Sequence, residues 1–265
     1  MLHLITYTGD VKPANLGDVM QTVALSRLLG PSIGMRRDHE DPPPNDGDLV
    51  VVNGFWYKPK RYETWPASVR TLFAGIHIDS AEPVEPFIPW FASSPWPIGA
   101  RDPATADRLV KHFPASKVVV CGCSTITLPR WYGNRRGFML NVDCEGAPGE
   151  RHTQMVGLGE WNALWAATLD RLELLSDALF VYTSKMHTTL PCVALGTPVQ
   201  FSRRAPYDPS RLTLLSWLGV REDAPVVGLD TQGAQHIFTS FLQDTIGERA
   251  VYPLSHPVRP RLFYE

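Results

Sequence analysis

The sequence predicts an α/β chain in two halves, and three observations carry that reading: the length, the repeated handover of a short apolar run to a helical pattern, and the polar residues that end those runs. At 265 residues the chain is long enough for one large core or two small ones. Hydrophobic residues make up 44% and charged residues 20%, ordinary proportions for a globular protein that argue against disorder.

Leu2 to Tyr7 reads as a first strand, Gly9 to Leu16 as a loop, and Gly17 to Leu29 as a helix by its apolar spacing. Leu49 to Asn53 and Leu72 to Ile78 are short apolar runs of the buried-strand type, ending at Asn53-Gly54 and around His77. Pro97 to Arg101 reads as another short strand, after which Asp102 caps and Pro103 starts a helix to about His112. The first half is set at residues 1–115, ending near Phe113-Pro114, and the second at 116–265, opened by Lys117 to Val120. Gly137 to Val142 is the next strand, Leu164 to Leu175 an amphipathic helix, and Ala178 to Tyr182 a strand feeding Thr183 to His187. An apolar helix then stops at Gly196 before a strand at Pro198 to Phe201. A last helix is expected from Thr231 to Ile246 with Asp230 as cap, followed by a basic and aromatic tail expected to pack back on the first half. In parallel α/β sheets ligands bind beyond the carboxyl ends of the strands, which is where the polar residues above fall.

A formal net charge of −2 gives no global field for a nucleic acid backbone, so nucleic acid is not an expected partner and anion binding must come from a few placed cations. No run approaches the roughly eighteen apolar residues of a membrane span, and Met1 is followed at once by a strand-like segment; the expected location is cytoplasmic. The four cysteines, Cys121, Cys123, Cys144 and Cys192, are too few and too spread for a disulfide framework. Cys121-Gly122-Cys123 has no second ligand pair at zinc spacing, so no metal is expected. Neither a GxGxxG nor a Walker sequence is present.

Several segments stand in a telling order: Asn15-Leu16-Gly17-Asp18-Val19-Met20-Gln21, Asn53-Gly54-Phe55-Trp56-Tyr57, Pro97-Ile98-Gly99-Ala100-Arg101-Asp102, Cys121 to Leu128, Thr183-Ser184-Lys185-Met186-His187, and Leu190 to Val199. In that order and spacing, over roughly residues 3 to 201, the chain resembles the polysaccharide pyruvyl transferase family. The resemblance implies a fold similar to GT-B glycosyltransferases: two Rossmann-like domains facing a cleft, with the acceptor side in the first and the donor side in the second. It implies transfer of a pyruvyl group from phosphoenolpyruvate to a sugar of a bacterial surface glycan, with no cofactor. The partners implied are the small-molecule donor and a glycan or lipid-linked glycan acceptor, which would place the chain at the periphery of the inner membrane; a homo-oligomer is left open. The family commonly has Ser-Arg-aliphatic-His where this chain has Ser184-Lys185-Met186-His187, exchanging a planar bidentate fork for a flexible point charge. Two other readings stand beside it: a GT-B glycosyltransferase using a nucleotide sugar, and a non-catalytic glycan-binding module.

Pyruvyl transfer needs cations for the donor, a general acid near neutrality, and a shape that holds two hydroxyls. His187 is the expected acid, since imidazole titrates near neutral pH and this one falls in a first helical turn. With Ser184 as N-cap, the amides of Lys185, Met186 and His187 would face an anion, and Lys185 would add a charge. Arg101 is the second donor-binding cation; its alternative is a surface arginine paired with Asp102 or Glu82. Asp18 is expected to face the acceptor or else to cap its helix, with Asn15 and Gly17 beside it. His77 and Trp56, with Phe55 and Tyr57, are expected to line the sugar site, while Trp90 and Trp96 read as core. Arg135-Arg136 and Arg203-Arg204 read as solvated surface and are left out.

Overall fold

The structure, a computed structural model, describes residues 1–6, 14–30, 32–36, 43–55, 65, 68–157, 160–203, 208–247 and 251. Its first half runs β1 (Leu2–Thr6), β2 (Ala14–Asn15), α1 (Leu16–Leu29), β3 (Ile33–Arg36), β4 (Leu49–Phe55), β5 (Arg70–His77), α2 (Ile88–Ser93), β6 (Ile98–Ala100) and α3 (Pro103–Leu109). There follow β7 (Val118–Val120), β8 (Arg136–Val142), β9 (Glu150–His152), β10 (Met155–Val156), α4 (Trp161–Asp177), β11 (Ala178–Thr183) and α5 (Met186–Leu195). The remaining elements are β12 (Val199–Phe201), α6 (Pro209–Trp217), β13 (Pro225–Val226) and α7 (Gln232–Ile246). Among the described residues no helix is long and apolar enough to cross a membrane.

Two sheets organise these elements. One has the order β3-β1-β4-β5-β6-β7 with every pairing parallel, and the other the order β13-β12-β11-β8-β9, parallel except for the β12–β13 edge. Parallel strands need crossovers and both faces covered, which is why β4 and β5 read as continuous apolar runs. β7 corrects the sequence reading: Val118–Val120, expected to open the second half, pairs with Ile98–Ala100 as the edge of the first sheet. Three β-branched valines complete that sheet more readily than they start another, because β6 otherwise exposes its free edge.

Two helices cross between the sheets. α1 is apolar nearly all round, with eleven of its fourteen residues buried. Val19, Met20 and Val23 pack with Leu140, Val142 and Val181 of the second sheet, whereas Leu25 and Leu28 pack with Leu4, Val51 and Leu72 of the first. α7, last in the chain, returns to the first sheet through Phe238, Phe241 and Leu242. The Asp230 side chain accepts from the amide of Gln232 at the start of that helix, 2.9 Å away. The tail expected to follow α7 across the first half, from residue 252 onward, lies outside the described residues. A third tie is β2 with β10, which joins Ala14–Asn15 to Met155–Val156 in antiparallel register.

Trp90 and Trp96 pack against the two cores of the first sheet. Gly75 bulges β5 at a φ of 80°, and a Cβ there would meet the Gly122 carbonyl oxygen at 2.6 Å, so glycine lets the chain after β7 press against the sheet. Arg135, expected at the solvated surface, instead donates to Thr197 Oγ1 at 2.8 Å and to the carbonyls of Ser176 and Leu195, satisfying helix-end oxygens of α4 and α5. Arg136 and Arg203 stay at the surface in ion pairs with Asp177 and Glu222, at 3.0 and 3.2 Å; Arg204 lies outside the described residues.

Candidate functional site

The strand orders place two switch points, where a sheet reverses the direction in which its strands are added: beyond β1 and β4 in the first sheet, and beyond β8 and β11 in the second. Asn15 to Asp18 follow the first, and Asp143 and Thr183 to His187 follow the second. The chain leaves β1 and turns into α1 with Asn15 as N-cap, its Oδ1 accepting from the Gly17 amide at 3.0 Å. That frees Asp18 from capping. Its carboxylate lies 3.6 Å from His187 Nδ1 and accepts from Gln21 Nε2 at 3.4 Å.

His187 sits in the first turn of α5, almost fully buried, and meets Arg101 from the end of β6, with Arg101 Nη1 3.5 Å from His187 Nε2. Arg101 is no surface arginine: only 2% of it is exposed, and it ranks among the largest fully buried side chains. Asp102 lies 3.7 Å from its Nε, yet among the described residues that Nε has no hydrogen-bond partner. A buried guanidinium with an unfilled donor is costly to hold.

Asp143 follows β8 with a left-handed φ of 53°, held there by its neighbours. Its Oδ2 accepts from the Gln154 amide at 2.9 Å, its carbonyl accepts from Ser184 Oγ at 2.6 Å, and Lys185 Nζ lies 3.9 Å from its carboxylate. Ser184 therefore does not cap α5, contrary to the sequence expectation. Its hydroxyl is taken by Asp143, the capping position passes to Lys185, and the Lys185 amide donates to Thr183 Oγ1 at 3.0 Å. The expected fan of three free amides is reduced accordingly, while the Lys185 ammonium stays about one-third exposed.

Gly17 and Asn15, expected to touch an acceptor, serve the junction between α1 and α5. A Cβ on Gly17 would meet Gln154 Nε2 at 2.3 Å and His187 Cβ at 2.5 Å, so only glycine lets α1 start this close to the histidine. Asn15 Oδ1 also accepts from Gln154 Nε2 at 2.6 Å, and Gln154 Oε1 accepts from Thr188 Oγ1 at 2.8 Å. Gly17→Ala is expected to cost about 1–3 kcal/mol through overpacking, read as a lower urea midpoint with an unchanged slope.

His77 is placed differently from the expectation that it lines a sugar site. It is fully buried, its Nδ1 2.6 Å from Asp102 Oδ2 and its Nε2 3.2 Å from Asp79 Oδ1. Asp79 is gripped by Arg211 of α6 at 2.9 and 2.7 Å, and Asp208 accepts from the Ser80 amide and hydroxyl at 2.8 and 2.9 Å. His77, Asp79 and Asp208 could meet a cation within 4.8 Å of one another, but Arg211, Ser80 and the Ser210 amide already occupy those carboxylates. The group works as a clasp fixing α6 to the end of β5. Trp56 lies outside the described residues, as does the side chain of Phe55.

Burial works against ionisation of Asp102, but the His77 hydrogen bond and charge, the Arg101 charge and the Thr105 amide hold its carboxyl below the ordinary aspartate value. Burial likewise pushes His187 toward neutrality, yet the Asp18 carboxylate and the Cys123 sulfur outweigh burial and Arg101 and raise it. For Cys123 burial pushes the thiol up, but the His187 hydrogen bond and charge, Arg101 and the Thr125 hydroxyl bring it below its usual value. Cys123, Gln21, Gln154 and Asp143 were not anticipated as members of this cluster. The run Cys121 to Leu128 was singled out, but nothing in its spacing shows which of its side chains stands among residues brought in by α1 and α5.

A solved structure of a functionally uncharacterised protein from Klebsiella pneumoniae shares the fold at a TM-score of 0.52, with 14% identity, covering 81% of this chain and 88% of that one. Two UDP-GlcNAc 2-epimerases align at a TM-score of 0.41: that of Neisseria meningitidis at 13% identity over 98% of this chain and 95% of its own, and that of Methanocaldococcus jannaschii at 9% over 99% and 98%. At that score neither bears on fold or function. No protein-family model matches the chain, and no curated protein matches it by sequence.

Proposed function

We propose that this chain is a transferase that moves the pyruvyl group of phosphoenolpyruvate to a pair of sugar hydroxyls on a glycan. The observation that carries the reading is the buried Arg101 guanidinium, with an unfilled Nε donor, against a histidine raised toward its protonated form. A compact dianionic or trianionic donor suits one buried cation and one partly exposed cation, Lys185, better than a donor that also needs a base-and-ribose slot.

In this reading Arg101 and Lys185 hold the carboxylate and phosphate, and His187 gives its proton to the methylene carbon. The cation left at the adjacent carbon is captured by the first hydroxyl, phosphate then leaves with the electron pair of its carbon–oxygen bond, and the second hydroxyl captures the cation so formed; of the two hydroxyl protons one restores His187 and the other leaves with phosphate, and the product is a cyclic ketal. Asp18 steadies the imidazolium through Nδ1, which leaves the other face of the ring toward Arg101 and the donor. Because His187 is raised, its acid form is kept to higher pH than in an ordinary imidazole and is lost as pH rises through the raised value, so turnover is expected to fall on the alkaline side.

The test is a melting scan with phosphoenolpyruvate, inorganic phosphate, nucleoside diphosphates and nucleotide sugars. Phosphoenolpyruvate at about a hundredfold excess over its dissociation constant is expected to add about 2.7 kcal/mol, a rise of roughly 5–10 °C, reduced in Lys185→Ala. Stabilisation by nucleotides with none by phosphoenolpyruvate would replace this reading with a nucleotide-sugar glycosyltransferase.

A further inference from the structure

Among the threonines within helices, one stands apart. Thr168 of α4, Thr189 of α5 and Thr239 of α7 turn their hydroxyls back onto the carbonyl four residues earlier, at 2.7, 3.0 and 2.8 Å. Thr22 of α1 does not: it is 2% exposed, and its Oγ1 has no hydrogen-bond partner among the described residues. A buried hydroxyl held in that way is less stable than a methyl group of the same shape would be.

That hydroxyl borders a cavity of about 340 Å³ between α1, β1 and the start of α4. Thr22 and Leu4, both buried, form its floor. Ser26, one turn further along α1, and the indoles of Trp161 and Trp165 are half-buried around it, and Asn162 is exposed at its mouth. The two indoles stand one turn apart on α4, with ring centroids 5.4 Å apart and planes tilted by 52°, and both pack against the core of the second sheet. Asp18, Arg101 and His187 do not line this cavity, and among the described residues that do, none carries a charge. Walls without a placed cation do not suit a phosphate, a carboxylate or a nucleotide, and walls broken by hydroxyls do not suit an acyl chain. Flat apolar faces beside hydroxyls and an amide, which both donate and accept, match a ring with apolar C–H faces and a rim of neutral hydroxyls. The volume lies at the lower end of ligand pockets, the size for one such ring.

We propose that this cavity is a binding site for a neutral pyranose unit, which lays a ring face on the Trp161–Trp165 pair and brings a sugar hydroxyl to Thr22 Oγ1. Asn162 and Ser26 take further sugar hydroxyls at the rim. Thr22 and Ser26 follow Asp18 by one and two turns of α1, about 6 and 12 Å along its axis, so the unit bound here is not the one that meets Asp18 and His187. On the glycan reading it is a further unit of the acceptor, and only that assignment rests on the proposed function; the sugar site itself does not.

The experiment titrates the full chain, without phosphoenolpyruvate, with the methyl glycosides of glucose, galactose, mannose and N-acetylglucosamine, and separately with uridine monophosphate. The indole N–H resonances of Trp161 and Trp165 report binding, each assigned by its loss in Trp161→Phe or Trp165→Phe. At least one glycoside is expected to shift both resonances saturably. Thr22→Val is expected to melt no lower than the wild type and to weaken that glycoside about two- to tenfold, the loss of one hydrogen bond. No saturable shift with any glycoside, shifts with uridine monophosphate alone, or equal glycoside affinity in folded Thr22→Val overturns the proposal. Should Thr22→Val not fold, Asn162→Ala at the exposed mouth decides in its place: weaker glycoside binding supports the site and equal binding overturns it. No probe here is a pyruvyl donor and no readout is turnover, so a failed donor scan and a failed sugar titration are separate results.

Discussion

Replacing Arg101 with methionine is expected to weaken phosphoenolpyruvate binding by about a hundredfold or more while the chain stays folded. The loss follows from removing a charged, buried donor whose Nε has no other hydrogen-bond partner among the described residues. Hydrogen bonds to charged groups contribute about 1.5–3 kcal/mol each, and the planar fork can make two to one carboxylate or phosphate. The fold should tolerate the change, because a buried cation costs desolvation that an unbranched apolar side chain does not, and Asp102 retains His77 as its partner. Arg101→Lys should fall between, keeping the charge and losing the fork. Titration calorimetry with phosphoenolpyruvate, beside a melting curve of each free variant, measures both halves of the statement. Equal affinity in Arg101→Met would remove Arg101 from the donor site.

The largest stability effect is expected at Asp102. One carboxylate there caps α3 by accepting from the Thr105 amide at 2.9 Å, meets His77 Nδ1 at 2.6 Å and faces Arg101 Nε at 3.7 Å, all with no exposed surface. Asp102→Ala leaves the buried Arg101 guanidinium without its neighbouring carboxylate, takes from His77 the closer of its two, and removes a cap, for an expected loss of about 3–5 kcal/mol in urea unfolding. Because the folded carboxyl is held below its unfolded value, its stabilisation is fully present above the ordinary aspartate range and is lost as pH falls through the lower folded value. Asp102→Asn keeps an oxygen for the cap and should flatten that acid limb of the stability profile. A limb as steep as in the wild type would assign the acid sensitivity to other carboxylates.

Much of the scaffold was legible because buried parallel strands are apolar runs and their helices start with recognisable caps. Asp102-Pro103 announced α3, and Gly196 with its left-handed φ of 75° announced the end of α5. Asp208-Pro209 carries the same start signal for α6, whose Asp208 accepts from the Ser210 amide, yet the basic and proline-rich surroundings hid it. β3 and β7 are strands because a neighbour supplies an edge, and their sequences carry no alternation that would say which sheet they join. In the site, Asp18, Arg101 and His187 could each be found alone, since each stands where a strand hands over to a helix or loop. What spacing did not convey was their mutual contact, and with it the roles of Cys123 and Gln154, which depend on α1 lying between the two sheets. The one-residue error at Ser184 has a local cause: the Asp143 carbonyl captures the hydroxyl that would have capped α5. His77 was misread because a histidine at a strand end looks alike whether it faces a cleft or two carboxylates.

If Arg101 and His187 together receive a phosphoenolpyruvate donor, the electron density of crystals soaked in phosphoenolpyruvate will show it. The donor is expected with a carboxylate or phosphate oxygen within hydrogen-bond distance of Arg101 and its methylene carbon turned toward His187. Donor density seated elsewhere, with Arg101 still facing only Asp102 and His187, would contradict it.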